Sequence, residues 1–264
     1  MKNRLRVAQY LLSRAESLAL DAEEYELLDL ILGERIRAAH ESSQSINPEE
    51  LIARRQANAQ RILLFRDLDE TLARARYFIQ ISQNFDRAQA EAGALLLARL
   101  MQQIEDVPAA HRTRRTRLEL YQAVARLMLQ SRDYRALEEF SQQSYAEFEA
   151  ANWFDRDSHE DKLRILVFLV NACFKNGAYD RSLAWADRLL EALEEFQRLH
   201  YNRFWVFYAN ALVINYAQLD PDRALRLLEE MKDHPLLRRM PLYEVFFYTN
   251  RALLWYRKGN FHRS

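Results

Sequence analysis

The run from Leu163 to Leu193 sets the pattern for this chain. It is an apolar, helix-length stretch that breaks at Asn176-Gly177 and resumes from Tyr179 as a second stretch. Apolar residues spaced by three and four read as the buried face of a helix, and the segments that follow are variations on this unit. Residues 158–176, 178–199, 200–219 and 221–233 are therefore expected to form four successive antiparallel helices. Ser158 with Asp161 opens the first like a capping box, and Asp220-Pro221 opens the fourth. Toward the N-terminus, residues 2–20 and 22–41 read as two amphipathic helices. Asn47-Pro48-Glu49-Glu50 is a strong start signal, and no Gly or Pro interrupts the stripe from Pro48 to about Ser82. At ~1.5 Å per residue that helix is ~50 Å long, and it is expected to pair with residues 22–41 as a long hairpin.

A small residue preceded by Arg recurs at Arg87-Ala88, Arg135-Ala136, Arg181-Ser182, Arg223-Ala224 and Arg263-Ser264. The small residues lie 48, 46, 42 and 40 positions apart. A period near 40 built from helix pairs is the signature of a helical array. The residues around this ladder resemble the tetratricopeptide repeat. Tyr248, Ala252, Trp255, Gly259, Phe261 and Ser264 follow that motif, as do Leu166, Leu169, Cys173, Gly177, Tyr179 and Ser182. Tyr121, Val124, Ala125, Met128 and Tyr134 fit with one turn residue missing, and Leu212, Val213, Tyr216 and Ala224 fit with a similar deletion. The likeness covers residues 110–264 and, more weakly, 72–108. It implies an all-α superhelix of antiparallel helix pairs, about eleven helices in all. Residues 1–82 would form the N-terminal long helices and 83–264 the repeats. The last repeat, cut at Ser264, would leave Phe246, Phe247, Leu254 and Trp255 short of a partner helix, an apolar end that invites self-association.

Composition narrows the function. The 38 basic and 38 acidic residues cancel, so no global field draws the chain to nucleic acid, which is not expected as a partner. The apolar runs Ile165–Phe174 and Phe204–Ile214 are about half the ~20 residues a membrane span needs. The one cysteine, Cys173, lies in an apolar helix, and with the absence of a signal-like N-terminus it points to a cytoplasmic protein. The six histidines stand singly, without the pairings that metal sites use, and are read as surface residues; no metal or cofactor is expected. No two glycines are neighbours, so there is no phosphate loop, and no nucleophile motif is present. The basic run His111–Arg117 reads as the wet first turns of a helix whose apolar face starts at Leu118.

What remains is a row of asparagines. Asn171, Asn210 and Asn250 recur at intervals of 39 and 40 on otherwise apolar first helices, where Asn is intrinsically unfavourable. The resemblance implies that such asparagines line the concave groove and hold the backbone of an extended peptide, with Lys175 and Arg257 adding charge at its edge. The expected function is a non-catalytic scaffold that binds a protein or peptide in its concave face. A regulatory sensor acting on a further effector domain, and a helical enzyme with a site assembled across repeats, are the alternatives.

Overall fold

The computed structural model describes residues 2–41, 47–81, 87–106, 113–239 and 243–258, and every regular element among them is helical. The chain divides into two compact units, Met1–Leu120 and Tyr121–Ser264. The division falls inside a helix. The boundary expected at residues 82–83 lies outside the described residues.

The first unit holds α1 (Lys2–Asp21), α2 (Tyr25–Glu41), α3 (Pro48–Ile81) and α4 (Arg87–Asp106), each packed on its neighbour in sequence. Glu23 takes a left-handed φ of 59° and lets α1 reverse into α2. The Asn47 side chain accepts from the Glu49 amide at 3.1 Å, so α3 begins where its cap signal stands, and the helix runs unbroken for 34 residues. Ala19, Leu28, Ile31, Leu32 and Leu51 form the shared core. A buried carboxylate crosses it: Glu16 of α1 is bridged by Arg35 of α2 and Arg54 of α3. An unpaired buried charge would cost several kcal/mol, so the two arginines are the condition on which Glu16 can be there at all.

The second unit begins within α5 (Arg114–Gln130) and continues through α6 (Tyr134–Ala150), α7 (His159–Lys175), α8 (Tyr179–Glu194), α9 (Tyr201–Leu219), α10 (Pro221–Met231), the short α11 (Pro235–Arg238) and α12 (Tyr243–Arg257). Neighbours pack in adjacent pairs from α6 to α10, and α7 also touches α9 across α8. The turns follow one plan. A residue of positive φ ends each of α5, α6 and α7: Arg132, Asn152 and Gly177. The amide after it then reaches back to a carbonyl of the last turn, as Ala178 does to Cys173 at 2.9 Å. Glycine takes that conformation without cost. Asp133 and Asp220 cap α6 and α10, accepting from Ala136 and Arg223.

Two rungs of the small-residue ladder lie in the core, while Ala136 is half-buried. Ser182 and Ala224 are both fully buried. The Ser182 hydroxyl donates to the Val170 carbonyl of α7 at 2.8 Å and accepts from the Asn215 amide of α9 at 2.9 Å. Asn215 also donates to the Ala211 carbonyl of its own helix. One hydroxyl thus ties three helices together in the core.

Several expectations change. Ser158 precedes α7, but its side chain makes no cap bond; the hydroxyl instead donates to the Trp153 carbonyl in the loop before it. Asp161 is held by Gln122 of α5 at 2.5 Å. The helix expected over 178–199 stops at Glu194, because Phe196, Gln197 and Arg198 all take left-handed φ values of 49° to 62°. Each such residue costs on the order of 1–3 kcal/mol. The turn is held by Glu195, which accepts from Lys162 at 2.6 Å, and by the Phe196 ring set edge-on against His159 at 5.0 Å. His159, expected at the surface, is fully buried beneath that turn and stacks on His200 at 5.8 Å. On α12, Phe247 and Leu254 are not left bare but buried against Val213, Ala224 and Leu228, with Phe246 and Trp255 packed beside them. The exposed apolar residues of this helix are Val245, Tyr248, Leu253 and Tyr256 on the outward side. Gly259, Phe261 and Ser264, which were to show a cut repeat, lie outside the described residues.

Two outcomes are expected of this packing. Ala224→Leu should overpack the α9–α10 contact and lower unfolding stability by roughly 1–3 kcal/mol in a urea titration; a variant as stable as the parent would show that the ladder does not mark helix contacts. The second concerns pH. Burial depresses the His159 pKa, with His200 and Lys162 acting the same way and the Glu195 carboxylate opposing them. The unfolded chain binds that proton near the ordinary value of ~6.5, whereas the folded chain binds it only at lower pH. Between the two values the unfolded state holds more protons, so stability should fall as pH drops below ~6.5 and level off once the folded ring protonates. His159→Leu should flatten that fall in denaturation curves taken between pH 5 and 8.

Candidate functional site

Helices α5, α7 and α9 alternate with α6 and α8, and within the second unit their side chains line one cleft of about 270 Å³. From α5 come Gln122 and Arg126; from α7, Arg164, Val167 and Phe168; from α9, Arg203, Phe204 and Phe207. Each set sits on one helical stripe, at spacings of three and four, on the side away from the face that buries Leu166, Leu169 and Cys173 or Trp205, Ala209 and Val213. The sequence therefore forms amphipathic helices α7 and α9 with a second, mixed stripe of arginine and aromatic residues.

Glu160 organises the charges at the cleft. Its carboxylate accepts from Arg164 Nε at 2.9 Å and lies 2.9 Å from Arg203 Nη1, so it bridges α7 and α9. Burial alone would raise its pKa, but the bond and charge of Arg164, the charge of Arg203 and that of His200 outweigh it, and the group titrates below the usual range. The Arg203 guanidinium also stands 5.6 Å from the Phe204 ring centre. Phe204 is buried and packs on Phe207 at 5.8 Å, while Phe168 sets its ring edge-on to Tyr121 at 6.4 Å. Phe207 keeps 45% of its surface exposed. The arrangement offers guanidinium donors beside an apolar wall, and it holds no pair of acids poised for proton transfer.

The residues singled out from the sequence fall in different places. Asn171 and Asn210 are half-buried, one turn beyond Val167-Phe168 on α7 and beyond Phe207 on α9, on the continuation of the cleft-lining stripes. Asn250 spends its amide on the Phe246 carbonyl of its own helix at 2.8 Å. Arg257 donates to the Ala217 carbonyl at 2.9 Å and so ties α12 to α9. Lys175 is exposed near the rings of Phe174 and Tyr134, at about 6 Å from each. The arginines and Phe207 were missed, although a signal existed. Arg164 and Arg203, and likewise Phe168 and Phe207, are 39 residues apart, the interval that separates Asn171 from Asn210.

Other candidate chemistry resolves into structure. Glu138 of α6 is buried and bonded by Asn176 at 2.7 Å and paired with Arg181 at 3.1 Å, a polar joint between α6, α7 and α8. Cys173 is buried against the same carboxylate; burial first, and then the Glu138 charge and bond, push its thiol up to about 12. A thiol so protonated is no nucleophile at neutral pH. No group of three or more metal-ligating side chains occurs among the described residues, and no helix among them is long and apolar enough to cross a membrane. In the first unit a smaller cleft of about 210 Å³ carries Glu23, Glu24, Glu26, Asp69 and Glu119. Within it Glu26 is paired with Arg66 and Glu119 with Arg76.

Cys173 should consequently resist a thiol reagent at pH 8 in the native state and react fully once the chain is unfolded in denaturant. Fast labelling of the folded protein would contradict both its burial and its raised pKa. Neither a family model nor a curated protein sequence matches the chain.

Proposed function

We propose that the chain is a non-catalytic interaction scaffold. In this reading α5 to α12 form a tetratricopeptide-like array, and the face carried by α5, α7 and α9 takes an extended peptide segment of a partner protein. One observation carries it: three alternate helices place matching stripes around a single cleft, and the next turn of two of them presents Asn171 and Asn210. The contact of α7 with α9 across α8 supports a shared face for the first helices. An asparagine amide supplies one acceptor and two donors, which suits the alternating N–H and C=O of an extended backbone. The protonated state of Cys173 and the closed ion pairs of Glu138 and Glu160 speak against a catalytic reading of the same unit.

The test is selection of binders from a phage-displayed library of random decapeptides. Asn171→Ala and Asn210→Ala should each weaken the selected peptides by about two- to tenfold, the worth of one such hydrogen bond of ~0.5–1.5 kcal/mol. The melting temperature should not move. Peptides that bind both variants as tightly as the parent would remove the asparagines from the site, and a library that yields no binder would remove the scaffold reading itself.

A further inference from the structure

The charges around the α5/α7/α9 cleft identify the chemistry of the segment it takes. Among the residues that line it, every charged one is an arginine: Arg126, Arg164 and Arg203. Two acids of α7 stand beside it: Glu160, one turn before Arg164, bridges Arg164 to Arg203, and the Asp161 carboxylate accepts from Gln122 of the lining at 2.5 Å. A guanidinium presents five N–H donors in a planar fork. Arg164 gives both Nε and Nη2 to Glu160, whereas Arg203 meets it through Nη1 and keeps 58% of its side chain exposed. Glu160 is itself only 28% exposed, and the bond and charge of Arg164 with the charge of Arg203 outweigh its burial and hold it ionised below the usual carboxylate range, so the two guanidinium groups stabilise a carboxylate at this half-buried spot. Beside it, Phe207 presents an exposed aromatic face, and Val167 and Phe168 continue the apolar wall.

We infer that this cleft selects peptide segments in which an aspartate or glutamate adjoins a large apolar residue, the acid docking on Arg164 and Arg203 beside Glu160 and the apolar side chain resting on Val167, Phe168 and Phe207. The inference rests on the peptide-scaffold reading given above and adds the class of ligand to it. Glu160 acts as an internal stand-in for the incoming acid: it holds the two arginines in place in the free chain and competes with the ligand for their donors. Single-stranded nucleic acid would need aromatic faces open for base stacking. Here Phe204 is buried and Phe168 is turned edge-on to Tyr121, which leaves Phe207 as the exposed ring, so the observations favour the acidic peptide.

The test uses the whole chain and the same library of random decapeptides. Enriched sequences should carry Asp or Glu next to Phe, Leu, Ile or Trp. Synthetic copies, followed by fluorescence polarisation, should lose about ten- to hundredfold in affinity when the acid is replaced by its amide, as expected for a hydrogen bond to a charged group. Affinity should also fall as salt is raised from about 50 to 500 mM. Arg203→Gln should reproduce the loss, whereas Glu160→Gln should bind the acidic peptide more tightly by removing the competitor. Because a variant can fail by unfolding, the amide peptide on the parent chain decides the matter alone. Equal binding of acid and amide peptides would overturn the acidic selectivity while leaving the peptide-scaffold reading intact. A library without enrichment would end both. Displacement of the peptides by a ten-nucleotide single strand that binds more tightly would overturn both in favour of nucleic acid.

Discussion

The relay from Asn215 through Ser182 to the Val170 carbonyl is the interaction on which the second unit depends. Apolar contacts between helices are nearly indifferent to small slides, since one methyl can replace another in a groove. A buried hydroxyl that must satisfy a carbonyl on α7 and an amide on α9 tolerates no such slide. Each bond contributes only about 0.5–1.5 kcal/mol net, but leaving one buried partner unmade costs about 1–3 kcal/mol, so the relay works mainly as a penalty on every wrong register. Its position at the ladder is no accident of spacing: only a small side chain allows α7 and α8 to approach, and serine is a small side chain that also carries a hydrogen bond.

Once α7, α8 and α9 are locked, the placement of the cleft follows. The stripes opposite the buried face of α7 and α9 are brought side by side because α8 sits behind them rather than between them. Arg164 and Arg203 then share Glu160, and Phe168 and Phe207 share the wall next to it. The second polar joint, Glu138 with Asn176 and Arg181, performs for α6, α7 and α8 a task like that of Ser182 one unit later. At the cleft, Arg203 and Phe207 keep large exposed surfaces beside the Glu160 bridge.

The first unit solves its packing problem by other means. Its α1, α2 and α3 are held by charge as well as by their shared apolar core: Glu16 between Arg35 and Arg54 in the core, and Asp29 bidentate to Arg55 at 2.8 and 3.0 Å. Asn58 of α3 donates to the Tyr25 carbonyl at the start of α2. Such groups fix register through the same asymmetry between a satisfied and an orphaned buried polar group.

Much of this was legible in the order of residues. Helical periodicity, the Asn47 and Asp220 caps, the Gly177 turn and the burial of Ser182 and Ala224 are properties of local spacing, and local spacing is written along the chain. The 39-residue recurrence also pointed to one face of α7 and α9, although asparagine drew attention there when arginine and phenylalanine at the same interval line the cleft itself. Other features belonged to the tertiary structure alone. Ser158 turned away from its cap because the Trp153 carbonyl was nearer; α8 ended early because Glu195 and Phe196 found Lys162 and His159; and Asn250 and Arg257 were taken up by carbonyls of α12 and α9. Periodicity states which face of a helix is apolar, but which polar side chain finds a partner depends on groups far apart in sequence, and only the packed chain brings those within the 3 Å at which a hydrogen bond is made.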